Sequence, residues 1–165
     1  MKIAAPFLAI GLIAAAGSAG AAPQGSDAGS PLVGTWRLVA YSDTPAGGSP
    51  VYPFGQNPSG IFQFGPEGIA SINIMRNPPN PTGPTVSTGL DACQPAWYCS
   101  YYGHYTVDPA RGRWTMHVEG GNVPTYLNTD QTRGFRVEGD RLIMSSSYEV
   151  NGGTVTAERV LQRVR

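Results

Sequence analysis

The chain has 165 residues, 11 basic and 11 acidic side chains, and only 13% charged residues. That length suffices for one domain with its own core, and such sparse, balanced charge excludes electrostatic docking to nucleic acid or to an anionic membrane surface. The one lysine, Lys2, lies in a segment expected to be removed, which excludes a Schiff-base lysine and a Walker-type phosphate lysine from the mature protein.

Residues 1–21 read as a secretory signal. Lys2 precedes an apolar run from Ile3 to Ala16, and the small residues Ala19 and Ala21 suit cleavage before Ala22. The run is short for a membrane span and no basic flank follows it, so no membrane span is expected. Residues 22–31 (APQGSDAGSP) read as a flexible leader. The folded domain is expected over 32–165.

Beyond the leader there is almost no helical periodicity. Turn residues recur at short intervals, and between them lie eight runs of strand length: Val33–Ser42, Ser59–Gly65, Gly68–Met75, Ser100–Val107, Arg113–Glu119, Gln131–Glu138, Arg141–Ser147 and Thr154–Val164. Gly65-Pro66-Glu67-Gly68, the stretch Asp108–Gly112, Gly139-Asp140 and Asn151-Gly152-Gly153 are hairpin connections. Eight antiparallel strands joined mostly by hairpins predict an all-β, up-and-down barrel, a form that leaves no sheet edge exposed. Its interior is about wide enough for side chains or one small ligand. Of two long connections, 76–97 is Pro-rich and is expected to lie over one end of the barrel. The other, 120–130, has room for a short helical turn. Cys93 and Cys99 fall in the first, and in an exported protein a disulfide is the default. A metal site or a catalytic thiol would need more partners than the sequence supplies.

Hairpin register sorts the side chains. A two-residue turn at Gly139-Asp140 sets Glu138 opposite Arg141 and Phe135 opposite Met144, with Arg133 opposite Ser146. Val137, Phe135, Arg133 and Gln131 then share the inner face with Leu142 and Met144, while Ile143 and Arg136 point outward. If Val107 pairs with Trp114, Tyr105 meets Met116 and His104 meets His117. This partition puts Trp114 and Met116 inside and His117 with Glu119 outside. The reverse assignment would line the barrel with the His–Glu pair, a candidate general base with an orienting carboxylate. His104, His117 and Glu119 could also approach a metal, but their spacing is nonspecific and no metal is expected.

Four stretches carry a resemblance: LVGTWRLV (32–39), YPFGQNPSG (52–60), YGHYTVD (102–108), and MHVEG (116–120) followed by TDQTR (129–133). In this order they resemble the bacterial and fungal lipocalin-like domain family of the calycin superfamily. The resemblance implies an up-and-down calycin barrel. It also implies that Trp36 packs near the barrel base under an arginine from the last strand, with Arg163 the first choice and Arg159 the second. The export signal, the Pro-rich insert and the cysteine pair depart from the family pattern, and Met116 stands where relatives commonly carry a histidine.

The expected function is binding of a small, largely apolar molecule inside the barrel, by a monomer or weak dimer that needs no cofactor. Trp36, Tyr101, Tyr105, Trp114, Met116, Phe135 and Met144 would supply apolar walls. Arg133 and Gln131 would supply the polar contact. A guanidinium inside a barrel either receives an acidic ligand head or is satisfied by protein groups, and both readings stay open. The alternatives are a calycin-type isomerase or cyclase, with Arg133 and Tyr105 as candidates, and a packed barrel without a ligand.

Overall fold

The computed structural model describes residues 29–79, 93 and 95–165. The expected signal, most of the leader and most of the Pro-rich connection lie outside the described residues. The eight strands are β1 (Gly34–Pro45), β2 (Ser59–Phe64), β3 (Ile69–Met75), β4 (Tyr98–Asp108), β5 (Arg113–Gly121), β6 (Asp130–Glu138), β7 (Arg141–Val150) and β8 (Gly153–Arg163). They form a closed antiparallel barrel in sequence order, sealed by β1 against β8 from Trp36↔Arg163 to Pro45↔Val155. The all-β, eight-stranded up-and-down barrel expected from the hairpin spacing is the fold observed.

The turn chemistry sets the register. At Gly139-Asp140 the ladder runs Glu138↔Arg141, Val137↔Leu142 and Phe135↔Met144 as predicted. It ends at Gly134↔Ser145, so Arg133 and Ser146 share a face without being paired in the ladder. Between β4 and β5 the Asp108 carboxylate accepts the Arg111 N–H at 3.1 Å and its guanidinium at 2.7 Å, which shapes a one-turn 3₁₀ segment. Gly112 closes that turn with φ 58°, a left-handed conformation that glycine adopts without penalty. The strands then pair as Val107↔Trp114, Tyr105↔Met116 and His104↔His117, as predicted. The β7–β8 hairpin is longer than expected. Its ladder continues to Val150↔Gly153, because Asn151 and Gly152 take positive φ and make the tight turn by themselves.

Strict alternation fails at two bulges. One, between Leu38 and Ala40, adds a residue to β1 and turns Tyr41 and Asp43 into the barrel behind Trp36 and Leu38. The other, between Tyr102 and Gly103, leaves Glu119 as the extra residue of β5. A Cβ at Gly103 would fall on the His117 carbonyl oxygen, so the close approach there requires glycine. Ile143 lies on the outer side of β7 as expected, yet it is only 4% exposed. It pairs with Val160 of β8, itself 7% exposed, in a small apolar patch outside the main core.

The closed end is packed solid. Phe64 meets Tyr105 and Trp114 edge-on, each at 5.2 Å between centroids. The Tyr105 hydroxyl donates to the Gly65 carbonyl at 2.9 Å. Trp36 is fully buried and donates its indole N–H to the Leu32 carbonyl at 2.7 Å. The Arg163 guanidinium lies 3.9 Å from the Trp36 ring and donates to the carbonyls of Val33 at 2.8 Å and Pro31 at 3.0 Å. The base is thereby closed by Arg163, the first choice of the resemblance, and Arg159 stands elsewhere. At the other end the Cys93–Cys99 disulfide, with 5.3 Å between Cα atoms, ties the connection to β4.

Replacing Arg163 by Ala should therefore lower unfolding stability by about 2 kcal/mol, since a cation–π contact and two charge-assisted hydrogen bonds go together. Arg163→Lys should recover only part of the loss, because an ammonium lacks the planar fork. Urea titrations of the three proteins measure both effects.

Candidate functional site

The upper half of the barrel encloses a cavity. Phe62, Ile74, Met144 and Ala157 give it apolar walls, and Tyr41, Tyr101, Trp114 and Tyr148 give it aromatic ones. Arg133 and Arg159 also reach it, and its described lining holds no carboxylate. Its free space is about 30 Å³, room for a water molecule or two.

Arg133 closes the mouth. Its Nη2 donates to the Tyr126 hydroxyl at 3.3 Å and to Gln131 Oε1 at 3.2 Å, and its Nη1 donates to the Thr132 carbonyl at 3.0 Å. The guanidinium lies between the Tyr126 and Tyr148 rings, 5.8 and 5.5 Å from their centroids. Tyr126 comes from the 3₁₀ turn Pro124–Tyr126 in the connection after β5 and meets Tyr101 edge-on at 5.5 Å. These acceptors and rings hold a charge at the mouth, where an isolated one would be costly.

Two strands away, on β8, Arg159 stacks on Tyr41 at 3.2 Å and pairs with Asp43 at 2.8 Å. Asp43 is 1% exposed, so this is a desolvated ion pair, further satisfied by the Ser42 carbonyl at 2.8 Å from Arg159. Two donors in the lining have no hydrogen-bond partner among the described residues. They are the Tyr41 hydroxyl and the Trp114 indole N–H. Buried polar atoms are nearly always paired in folded proteins, so two orphans on residues lining one cavity are an informative exception.

The candidate wall residues divide between this cavity and the packed base. Tyr101, Trp114, Met144 and Arg133 line the cavity. Gln131 sits beside it, bridging Arg133 to the Thr129 hydroxyl at 2.8 Å. Trp36, Tyr105 and Met116 are buried in the core, and Phe135 packs against it half-buried. Tyr41, Arg159, Tyr148 and Tyr126 were not among the sequence candidates. Tyr41 is hidden from an alternation argument by the β1 bulge, and Tyr126 by its place in a loop. Arg159 entered the sequence reading only as the second choice of cap over Trp36; its inward parity with Ala157 and Leu161 is the signal that could have placed it at the cavity.

The histidines stand on the outer face, and they are paired differently from the juxtaposition in the sequence. Glu119 accepts from His104 across the strand, while His117 meets Asp130 of β6 at 2.8 Å. The bulge at Gly103 is the cause, since it shifts Glu119 relative to His117. The His104 hydrogen bond holds the Glu119 carboxyl below its ordinary pKa, with partial desolvation opposing. Asp108 is likewise lowered, chiefly by its side-chain hydrogen bond to Arg111. No group of three or more His, Cys, Asp or Glu side chains among the described residues is arranged to hold a metal ion. No helix among the described residues is long and apolar enough to cross a membrane.

A closed eight-stranded calyx with an arginine at its mouth and a tryptophan under an arginine at its base defines a lipocalin-type architecture. The family model described as a lipocalin-like domain matches residues 33–164, and the chain belongs to that family. Searches among curated proteins and among solved structures returned no match.

Glu119 gives a pH test. A carboxyl whose folded pKa is depressed contributes stability above its unfolded pKa and loses it as pH falls through the folded value. His104→Ala should return Glu119 to the ordinary carboxylate range, read by its side-chain carbon shift in an NMR titration. The melting temperature at neutral pH should barely move, because the pair is exposed and screened by water.

Proposed function

We propose that the protein is an exported binding module whose calyx takes up a small, largely apolar molecule with its acidic group at Arg133. The observation that carries this reading is the composition of the cavity wall: apolar and aromatic surface, two guanidinium groups and no carboxylate among the described residues. Such a wall suits an apolar body with a negative end. The free space of about 30 Å³ is far below the several hundred typical of small-molecule sites. Binding therefore requires the upper part of the calyx to widen around the ligand, with Arg133 staying at hand to meet its acid group. Export is supported by the order of residues in 1–21 and by the disulfide, which persists in oxidising compartments.

The same small volume favours a second reading, a barrel filled by its own side chains. Titration with the anionic apolar dye anilinonaphthalene sulfonate separates the two. The binding reading predicts saturable fluorescence enhancement, and an affinity at least ~10-fold weaker in Arg133→Ala, as expected for a lost charge-assisted contact, with only a modest drop in melting temperature. A packed barrel predicts no dye uptake by the native protein and an Arg133→Ala variant whose main defect is stability.

A further inference from the structure

The two orphan donors say more about the ligand than its acidity. We infer that the calyx ligand carries, besides its acid group, an uncharged acceptor oxygen of the ketone or ester type, which is held by the Tyr41 hydroxyl and the Trp114 indole N–H. The inference rests on the calyx-binding reading above and deepens it.

Tyr41 is 1% exposed and Trp114 is 4% exposed. Both line the same cavity, and neither polar atom has a partner among the described residues. The indole can only donate, and the hydroxyl can turn to donate, so the group that satisfies both is an acceptor. Both side chains are locked. Tyr41 is fixed between the Arg159 guanidinium at 3.2 Å and the Phe54 ring at 4.7 Å. Trp114 is fixed edge-on against Phe64. Their donors cannot turn to the solvent, so folding alone leaves them unsatisfied.

The acceptor should be neutral. The donors themselves are neutral and nearly solvent-free, and an ion brought there would lose its hydration without a countercharge. Arg159, the nearest cation, is already paired with Asp43. An acid group is better served at the mouth, where Arg133 is half-buried and reachable by water. Trp114 and Arg133 are cross-strand partners in β5 and β6, which puts the neutral and the charged donor side by side in one compact site. A single molecule of modest size could engage both. The competing occupant is one water, which the free space would admit.

The probes are phenylbutyric acid and benzoylpropionic acid, which differ by one ketone on the same carbon skeleton. Isothermal titration of the wild-type protein should show the keto acid binding ~10-fold tighter, because an unpaired buried donor penalises the analogue that lacks the acceptor. Tyr41→Phe keeps both ring contacts and should reduce that preference to within a few-fold. Trp114→Phe should do the same. Tyr41→Phe should also melt no lower than wild type, since its hydroxyl has nothing to lose. Equal affinity of the two acids in the wild type would overturn the acceptor subsite and leave the calyx-binding reading standing. Binding of neither acid would end both. A lower melting temperature for Tyr41→Phe with no keto preference would mean that a buried water alone fills the place.

Discussion

Closure of the sheet is the constraint on which the rest depends. A barrel has no free edge only if its first and last strands find each other, and here β1 and β8 pair along nearly their whole length. That pairing brings Arg163 over Trp36 at the base and Arg159 over Tyr41 higher up, two cation–aromatic contacts on one seam. The bulge between Leu38 and Ala40 lies between them. It lets one strand serve two purposes, with an apolar plug below and a polar pair facing the cavity above. Without the added residue, Tyr41 and Asp43 would face water and the seam would lose its buried ion pair.

The interior is graded along the axis. Near the hairpins at 65–68, 108–112 and 139–140, aromatic and branched side chains pack densely, and Tyr105 and Trp36 pair their polar atoms with the backbone. Toward the mouth the lining turns to tyrosine, serine and arginine. The base can therefore be rigid while the upper layer holds groups whose pairing is incomplete. This is where natural sequences depart from uniform core packing, and functional sites are the usual reason.

Much of the architecture could be read from turn chemistry and parity. Gly139-Asp140 and the Asp108–Gly112 turn fixed two hairpin registers, and with them the inward direction of Trp114, Met116, Phe135 and Met144. The prediction held there because no bulge intervenes between those turns and those residues. Parity was silent about Tyr41, since nothing in Leu38-Val39-Ala40-Tyr41 marks an inserted residue: there is no glycine or proline to announce it. It was also silent about which cation would meet which ring. Arg159 and Arg163 lie four residues apart on the same strand; the resemblance put Arg163 first over Trp36, and the pairing of β1 with β8 keeps it there and gives Arg159 to Tyr41. The partners of the histidines were lost for the same reason, because the Gly103 bulge redirects Glu119 to His104.

The cavity's lining and the donors left unpaired among the described residues have a purpose if the calyx is occupied. Native mass spectrometry of the protein taken from the cells that produce it, without denaturation or organic solvent, addresses that claim most directly. The expected spectrum contains a species heavier than the unliganded chain by one small molecule, which collisional activation releases as an oxygen-containing acid. A spectrum showing only the bare, disulfide-bonded chain, unchanged under the gentlest conditions, would contradict it.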